Sequence, residues 1–273
     1  MLTKQSGNDL IIYDEDCFDI ALTLDCGQAF RWSCDSAGVW SGVAGGRFLR
    51  LKQTGGEITL FDTSAEEFEG FWRTYFDLDR DYSAIIASYD DKSLAEACSE
   101  YRGIRILRQD EWETVCSFII SANNNIPRIK GIIGRLCENF GERIAEGVYS
   151  FPAAERIAAL ELNDLDVLRA GFRSKYILDA ACKTASGEVS LEKVRKADFD
   201  SAKAELLKIK GVGEKVAQCA LLYGFGRVEA FPVDVWVKRI VAELYPDGLP
   251  ECIKGTEGIA QQYLFHWRRN LEK

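Results

Sequence analysis

The stretch AELLKIKGVGEKVAQCALLYGFG (204–226) reads as a helix, a tight turn and a second helix. Apolar residues recur three or four apart on both sides of the turn, which is the helical period. The turn is Gly211-Val212-Gly213, and glycine there permits positive φ and close approach of another backbone. Amide N–H groups left over where a helix begins form a ready site for an anion such as a phosphate. Lys203, Lys208 and Lys210 add positive charge nearby. A G-x-G turn alone is usually an ordinary connection between helices. Two features set this one apart: Lys215, near the start of the second helix, and the step PVDV (232–235) further on.

An unprotonated lysine amine is a nucleophile, able to attack C1′ of a sugar, displace the attached base and leave a Schiff base. Taken alone, Lys215 reads first as a solvated lysine touching a phosphate. Asp234 precedes VWVKRIVAEL, and Asp is a preferred N-cap, so capping is its first role. Backbone hydrogen bonds and the helix dipole keep such a carboxylate ionised. The same charge can stabilise an oxocarbenium-like sugar, as carboxylates do in glycoside hydrolysis. Near Lys215 it raises the lysine's pKa while burial lowers it, and the sequence leaves that balance open.

The fold class is α+β. Residues 1–80 read as an antiparallel β domain, from DLIIYDED, FDIALTLDCG, AFRWSCD, GVWSGVAGGRFLRLKQT and EITLFDT, which carry β-branched and aromatic residues between Gly, Asp and Ser. SAEE (64–67) has capping-box spacing, so a helix is expected to run from there through FEGFWRTYF. Residues 81–273 read as a mostly helical domain, with the helix–hairpin–helix at about 202–224.

The chain has 273 residues, 47% of them hydrophobic and 11% aromatic, which suits a folded protein with a sizeable core. No apolar run is long enough for a membrane span, and no secretory leader is expected from MLTKQSGNDLIIYDED. The nine cysteines are irregularly spaced with no C-x-x-C pair, so neither zinc nor an iron–sulfur cluster is expected, and reduced thiols are. One histidine, His266, leaves Ser–His and His–metal mechanisms without a basis. A net charge of −9 counts against nucleic acid as a partner, although total charge does not locate charge.

KGVGEKVA followed by PVDV resembles the helix–hairpin–helix DNA glycosylase superfamily. CGQAFRW (26–32), LRQDEWETVCSFIISANNNIPRI (107–129), GFRSKY (171–176) and AQQYLF (260–265) narrow this to the 8-oxoguanine DNA glycosylase family of eukaryotic type, which also has bacterial members. The resemblance spans nearly the whole chain in the family's order. It implies that Lys215 is the nucleophile and Schiff-base lysine, and that Asp234 stabilises the sugar cation. It implies that the Gly27 carbonyl accepts the N7 hydrogen found in 8-oxoguanine but not guanine. Cys219 and Phe265 would sandwich the base while Gln261 reads its Watson–Crick edge. Asn123 would fill the gap left by the flipped nucleotide, Arg128 and Arg173 would contact the orphaned cytosine, and Phe172, where the family often has Tyr, would wedge the duplex. Gly211 and Gly213 would meet the DNA backbone. Trp236 stands where the family often has a phosphate-contacting His, which changes that contact to an indole N–H.

The expected activity is therefore that of a bifunctional 8-oxoguanine DNA glycosylase and abasic-site lyase, with no cofactor. The expected partner is duplex DNA carrying 8-oxoguanine opposite cytosine, with no membrane, for a monomer in the bacterial cytoplasm or, in a eukaryote, the nucleus. The alternatives are a non-enzymatic helix–hairpin–helix DNA-binding or scaffold protein, and a sibling glycosylase with another damaged base.

Overall fold

The computed structural model of the protein describes residues 1–13 and 15–271. Strands β1 (Leu2–Ser6), β2 (Asp9–Tyr13), β3 (Trp32–Cys34), β4 (Trp40–Ala44), β5 (Arg47–Thr54) and β6 (Glu57–Phe61) form a six-stranded antiparallel sheet, ordered β1-β2-β6-β5-β4-β3. Two of its hairpins turn on Gly7-Asn8 and Gly55-Gly56, with Gly7 at φ 63° and Gly55 at φ 60°, the positive values such two-residue turns require. Leu10 pairs with Leu60, Ile12 with Ile58 and Leu51 with Leu60, all buried, while Ile11 and Thr59 take the other face. A slip of one residue would turn that apolar row outward, so the register is held by the core.

β1 is absent from the sequence reading because LTKQS is exposed throughout and carries no apolar alternation; pairing with β2 alone makes it a strand. FDIALTLDCG is a correction in the other direction. Its apolar residues at 18, 20, 22 and 24 alternate like a strand, yet Ile20–Leu24 is a short helix. Asp19 caps it by accepting from the Leu22 amide at 2.8 Å. The Thr23 hydroxyl donates to the Gly103 carbonyl at 2.9 Å, turning a polar side chain inward. The SAEE expectation is met: Ser64 accepts from the Glu67 amide at 3.1 Å, and helical turns continue to Tyr75 with a π turn over Phe68–Trp72. This run buries Phe68, Trp72, Tyr75 and Phe76. The Trp32 indole donates to the Tyr75 hydroxyl at 2.8 Å within that cluster.

The chain packs as two compact units, each assembled from separated segments. The sheet unit comprises Met1–Ser41, Leu49–Arg108 and the segment from Gly226 through the C-terminal helix Glu257–Leu271. The hairpin unit comprises Gly42–Phe48 and Gln109–Phe225. In the sheet unit, the C-terminal helix packs on helices Lys92–Glu100 and Val235–Leu244. The Tyr263 hydroxyl donates to the Ile104 carbonyl at 2.9 Å, fastening that helix to the loop before Arg108. In the hairpin unit, helix Glu111–Ser121 is the axis: Asp110 caps it, and residues 112–120 are all buried. Helices Ile126–Phe140, Ser174–Ala185 and Glu214–Tyr223 pack around it. No helix among the described residues is long and apolar enough to cross a membrane.

Arg105 is 2% exposed at the centre of the sheet unit. Its guanidinium donates to the carbonyls of Cys17 at 2.9 Å and Asp77 at 2.7 Å, pairs with Glu15, and lies 4.7 Å from the Tyr82 ring centroid. Arg105→Met keeps the stem but orphans the carbonyls and the carboxylate. It is expected to lower stability by about 3–5 kcal/mol, the usual cost of removing one side of a buried charged pair, read from the urea unfolding midpoint. An unchanged midpoint would show the network to be dispensable.

Candidate active site

The hairpin begins with helix Phe199–Leu206, capped by Asp198, and continues with helix Glu214–Tyr223, whose cap is Gly213. Gly211 lies at φ 85°, and a Cβ there would stand 2.5 Å from the Tyr176 ring, so conformation and crowding both demand glycine. Gly213 faces open space. A glycine cap supplies no side-chain acceptor, so the first amides of the second helix are left for an outside one. The turn is fastened to helix Ser174–Ala185: the Lys210 amide donates to Asp179 at 2.8 Å, and the Lys183 ammonium donates to the Lys208 carbonyl at 2.6 Å. Burial opposes ionisation of Asp179, but hydrogen bonds from Lys210 and Lys183 outweigh it and hold the carboxyl below its usual range.

The positive charge expected beside this turn is largely cancelled within the unit. Lys203 pairs with Glu214 at 3.2 Å, Lys208 with Glu205 at 2.8 Å and Lys210 with Asp179 at 3.4 Å. Lys215 differs. It is half-buried, its ammonium lies 3.4 Å from the Ser121 hydroxyl and 5.2 Å from the Phe118 ring centroid, and no carboxylate pairs with it among the described residues. Phe118 in turn stacks on Tyr223, with centroids 5.3 Å apart. A lysine amine placed against an aromatic face and a hydroxyl, with no carboxylate paired to it, is free to meet an outside electrophile. Cys219, one turn further on, is buried.

The three asparagines of SANNN divide their work. The Asn124 side chain donates to the Ile120 carbonyl at 3.0 Å and closes the axial helix. Asn125 caps the next helix, accepting from the Arg128 amide at 3.0 Å. Asn123 is exposed at φ 50°, and its side chain makes no hydrogen bond among the described residues; Asn is one of the few residues that tolerate this left-handed region. Arg173 holds it there. Only 2% exposed, its guanidinium donates to the Ala122 carbonyl at 3.0 and 2.6 Å and to the Asn123 carbonyl at 2.7 Å. Burial, and secondarily the charge of Arg128, lowers its pKa. Arg173, expected to meet an orphaned base, thus spends most of its donors on this turn. Arg128 is exposed and makes no hydrogen bond or ion pair among the described residues. Phe172 is 50% exposed beside Tyr176, an apolar side chain standing in solvent.

The remaining expected residues lie in the sheet unit. Asp234 caps helix Val235–Leu244, its Oδ1 accepting from the amides of Trp236 and Val237, each at 2.9 Å. Val233 and Val235 flank it, 45% and 69% exposed, two apolar side chains standing in solvent beside a carboxylate. Arg239 covers the Trp236 ring at 5.2 Å. Gly27 lies at φ 89°. The residues on either side of it are anchored: the Gln262 amide donates to the Cys26 carbonyl at 3.1 Å, and Gln28 donates to the carbonyls of Thr23 and Arg105 and accepts from the Leu107 amide. Gln261 is 4% exposed, and its Oε1 is buried with no hydrogen-bond partner among the described residues. Such an oxygen is costly unless a ligand supplies the donor. Phe265 follows one turn later, half-buried. Among the described residues no group of three or more His, Cys, Asp or Glu is placed to hold a metal ion.

Sequence reasoning missed Gln28, Gln262, Asp179, Lys183 and Ser121. Gln28 and Gln262 sit inside the motifs CGQAFRW and AQQYLF, so the signal was present; their buried donors were not visible in it.

The hairpin, its lysine and the capping aspartate define a class. Residues 116–249 match the model of the HhH-GPD superfamily of base excision DNA repair proteins, and residues 10–115 match the N-terminal domain of 8-oxoguanine DNA glycosylase. The fold matches that of MBOgg1 in complex with a low affinity DNA ligand, with a TM-score of 0.92 at 39% identity over 100% of this chain and 99% of that one. It also matches Clostridium acetobutylicum 8-oxoguanine glycosylase/lyase in complex with double-stranded DNA containing cytosine opposite 8-oxoguanine, with a TM-score of 0.92 at 34% identity over 100% and 99% of the two chains. The N-glycosylase/DNA lyase of Saccharomyces cerevisiae is 38% identical over 57% of this chain. The chain spans 45% of that relative's length, and 62% of that of a probable N-glycosylase/DNA lyase from Methanothermobacter thermautotrophicus. The chain belongs to the 8-oxoguanine DNA glycosylase family.

Arg173→Ala is expected to cost about 2–4 kcal/mol, since it orphans carbonyls bonded to a charged donor. Hydrogen exchange at residues 122–125 should accelerate more than elsewhere in the unit. Glu205, buried and bonded to Lys208 at 2.8 Å and Lys193 at 3.0 Å, titrates at about 2, held down first by Lys208. A carboxyl whose folded pKa is depressed contributes fully above its ordinary value of 4.5 and loses that contribution as pH falls toward 2. The stability gap between wild type and Glu205→Gln should therefore be widest at neutral pH and shrink steadily below pH 4.5, measured by denaturation across that range.

Proposed function

We propose that the protein removes 8-oxoguanine lying opposite cytosine in duplex DNA and then cleaves the strand at the resulting site. The observation that carries this reading is Lys215, half-buried at the head of the hairpin's second helix and without a carboxylate partner among the described residues, while Lys203, Lys208 and Lys210 each have one. The names of the similar proteins supply its chemical context.

In this mechanism the neutral Lys215 amine attacks C1′ of an extruded nucleotide. The C1′–N9 bond breaks, its electron pair goes to N9, and the base leaves with a proton. The ionised Asp234, fixed by two backbone amides, stabilises the positive charge that develops on the sugar. The amine-bound sugar opens to a Schiff base. Loss of a C2′ proton then expels the 3′ phosphate by β-elimination.

For recognition, the Gly27 carbonyl accepts the N7 hydrogen of 8-oxoguanine. Guanine would leave that acceptor unpaired, a difference of about 1–3 kcal/mol. The unpartnered Gln261 oxygen suits the N1 and N2 donors of the Watson–Crick edge, and Phe265 and Cys219 contact the base faces. Asn123 fills the vacated stack and Phe172 wedges the duplex. Arg128, with an uncommitted guanidinium, donates to the acceptors of the opposite cytosine. Arg173 acts there chiefly by holding Asn123, with any remaining donor turned to the same base. The amides at Gly211 and Gly213, and the Trp236 indole, meet phosphates.

The test uses duplexes carrying one 8-oxoguanine opposite cytosine, with wild type and Lys215→Gln, each with and without borohydride. Wild type should excise the base and form a covalent adduct, and the substitution should abolish both. Excision without an adduct would overturn the lysine chemistry. Binding without either would favour a non-enzymatic DNA-binding role.

A further inference from the structure

Gln261, Phe265 and Arg269 follow one another at four-residue steps along the C-terminal helix, so they form one stripe. The Arg269 guanidinium carbon lies 5.6 Å from the centroid of the Phe265 ring. Side chains on a helix lean toward its N-terminus, so Arg269 backs Phe265 from the C-terminal side and does not itself cover the side of the ring toward Gln261. Arg269 has no carboxylate partner among the described residues, and its Nε is buried without a hydrogen bond. Its charge also reaches the loop before Gly27. Burial pushes the Cys26 thiol up to about 12, and hydrogen bonds from Gln28 and the charge of Arg269 partly offset it.

An unpaired, partly desolvated cation is costly, and here it is directed at the ring proposed to carry the base. We propose that Arg269 is a positioning residue that acts through Phe265 to favour an electron-rich purine and the negative charge it gathers on departure. This rests on the assignment of Phe265 as the stacking ring. A cation on one face draws π density toward itself and leaves the opposite face better suited to an electron-rich base. 8-Oxoguanine is more electron-rich than guanine. When C1′–N9 breaks, the electron pair moves onto the base until a proton reaches it, and the same positive field stabilises that charge.

The test compares wild type, Arg269→Gln and Arg269→Lys in two single-turnover reactions: excision of 8-oxoguanine opposite cytosine, and strand cleavage at a preformed abasic site, where no base is present. At saturating enzyme, Arg269→Gln should slow excision by about 10-fold, a typical cation–π effect in a desolvated site. Abasic-site cleavage should change by less than about twofold, and Arg269→Lys should recover most of the lost excision rate. Equal loss in both reactions, or excision by Arg269→Gln at the wild-type rate, would overturn the proposal. So would a lysine variant as slow as the glutamine one. If wild type cleaves abasic DNA but leaves 8-oxoguanine in place, the substrate reading itself fails and this inference with it.

Discussion

A buried backbone carbonyl outside a helix or sheet has no partner of its own, and leaving it unmet costs about 1–3 kcal/mol. Loops in both units are built around that cost. In the hairpin unit the buried guanidinium of Arg173 holds the carbonyls of Ala122 and Asn123, and so holds Asn123 in a left-handed conformation with its side chain uncommitted. In the sheet unit Gln28 and Gln262 hold the chain on either side of Gly27, and Arg105 holds the carbonyls of Cys17 and Asp77. In each case the side chain that makes the loop rigid is buried, and beside two of them stand Asn123 and Gly27, the groups proposed to meet the DNA.

The same division explains how an acidic chain carries a DNA-repair fold. With a net charge of −9, long-range attraction to a polyanion is weak. Three hairpin lysines are neutralised by Glu214, Glu205 and Asp179. The amides at the glycine-capped helix start, proposed to meet a phosphate, act only at short range. Lys215, the proposed nucleophile, has no such carboxylate partner among the described residues.

Much of the fold was legible because it rests on local rules. The helical period, the caps at Ser64 and Asp234, and the glycine turn at 211–213 are set by near neighbours in the chain. FDIALTLDCG misled because alternation and helical spacing overlap in a short apolar run; the Asp19 cap and the inward Thr23 hydroxyl settled it as a helix. β1 was silent because an edge strand exposed on both faces carries no pattern.

By itself the sequence determined the α+β class, the hairpin, the caps and the residues on which a resemblance to a glycosylase family could rest. Those are contiguous motifs whose physics acts over a few residues. Tertiary structure alone decided the packing of the C-terminal helix on helix Lys92–Glu100, the pairing of each hairpin lysine, and the burial of Arg173 and Arg105. It also decided that the Gln261 oxygen has no hydrogen-bond partner among the described residues and that Arg269 lies over Phe265. A charge or a hydrogen-bond donor is assigned its partner by distance in space, and residues far apart in the chain meet only once the core has packed.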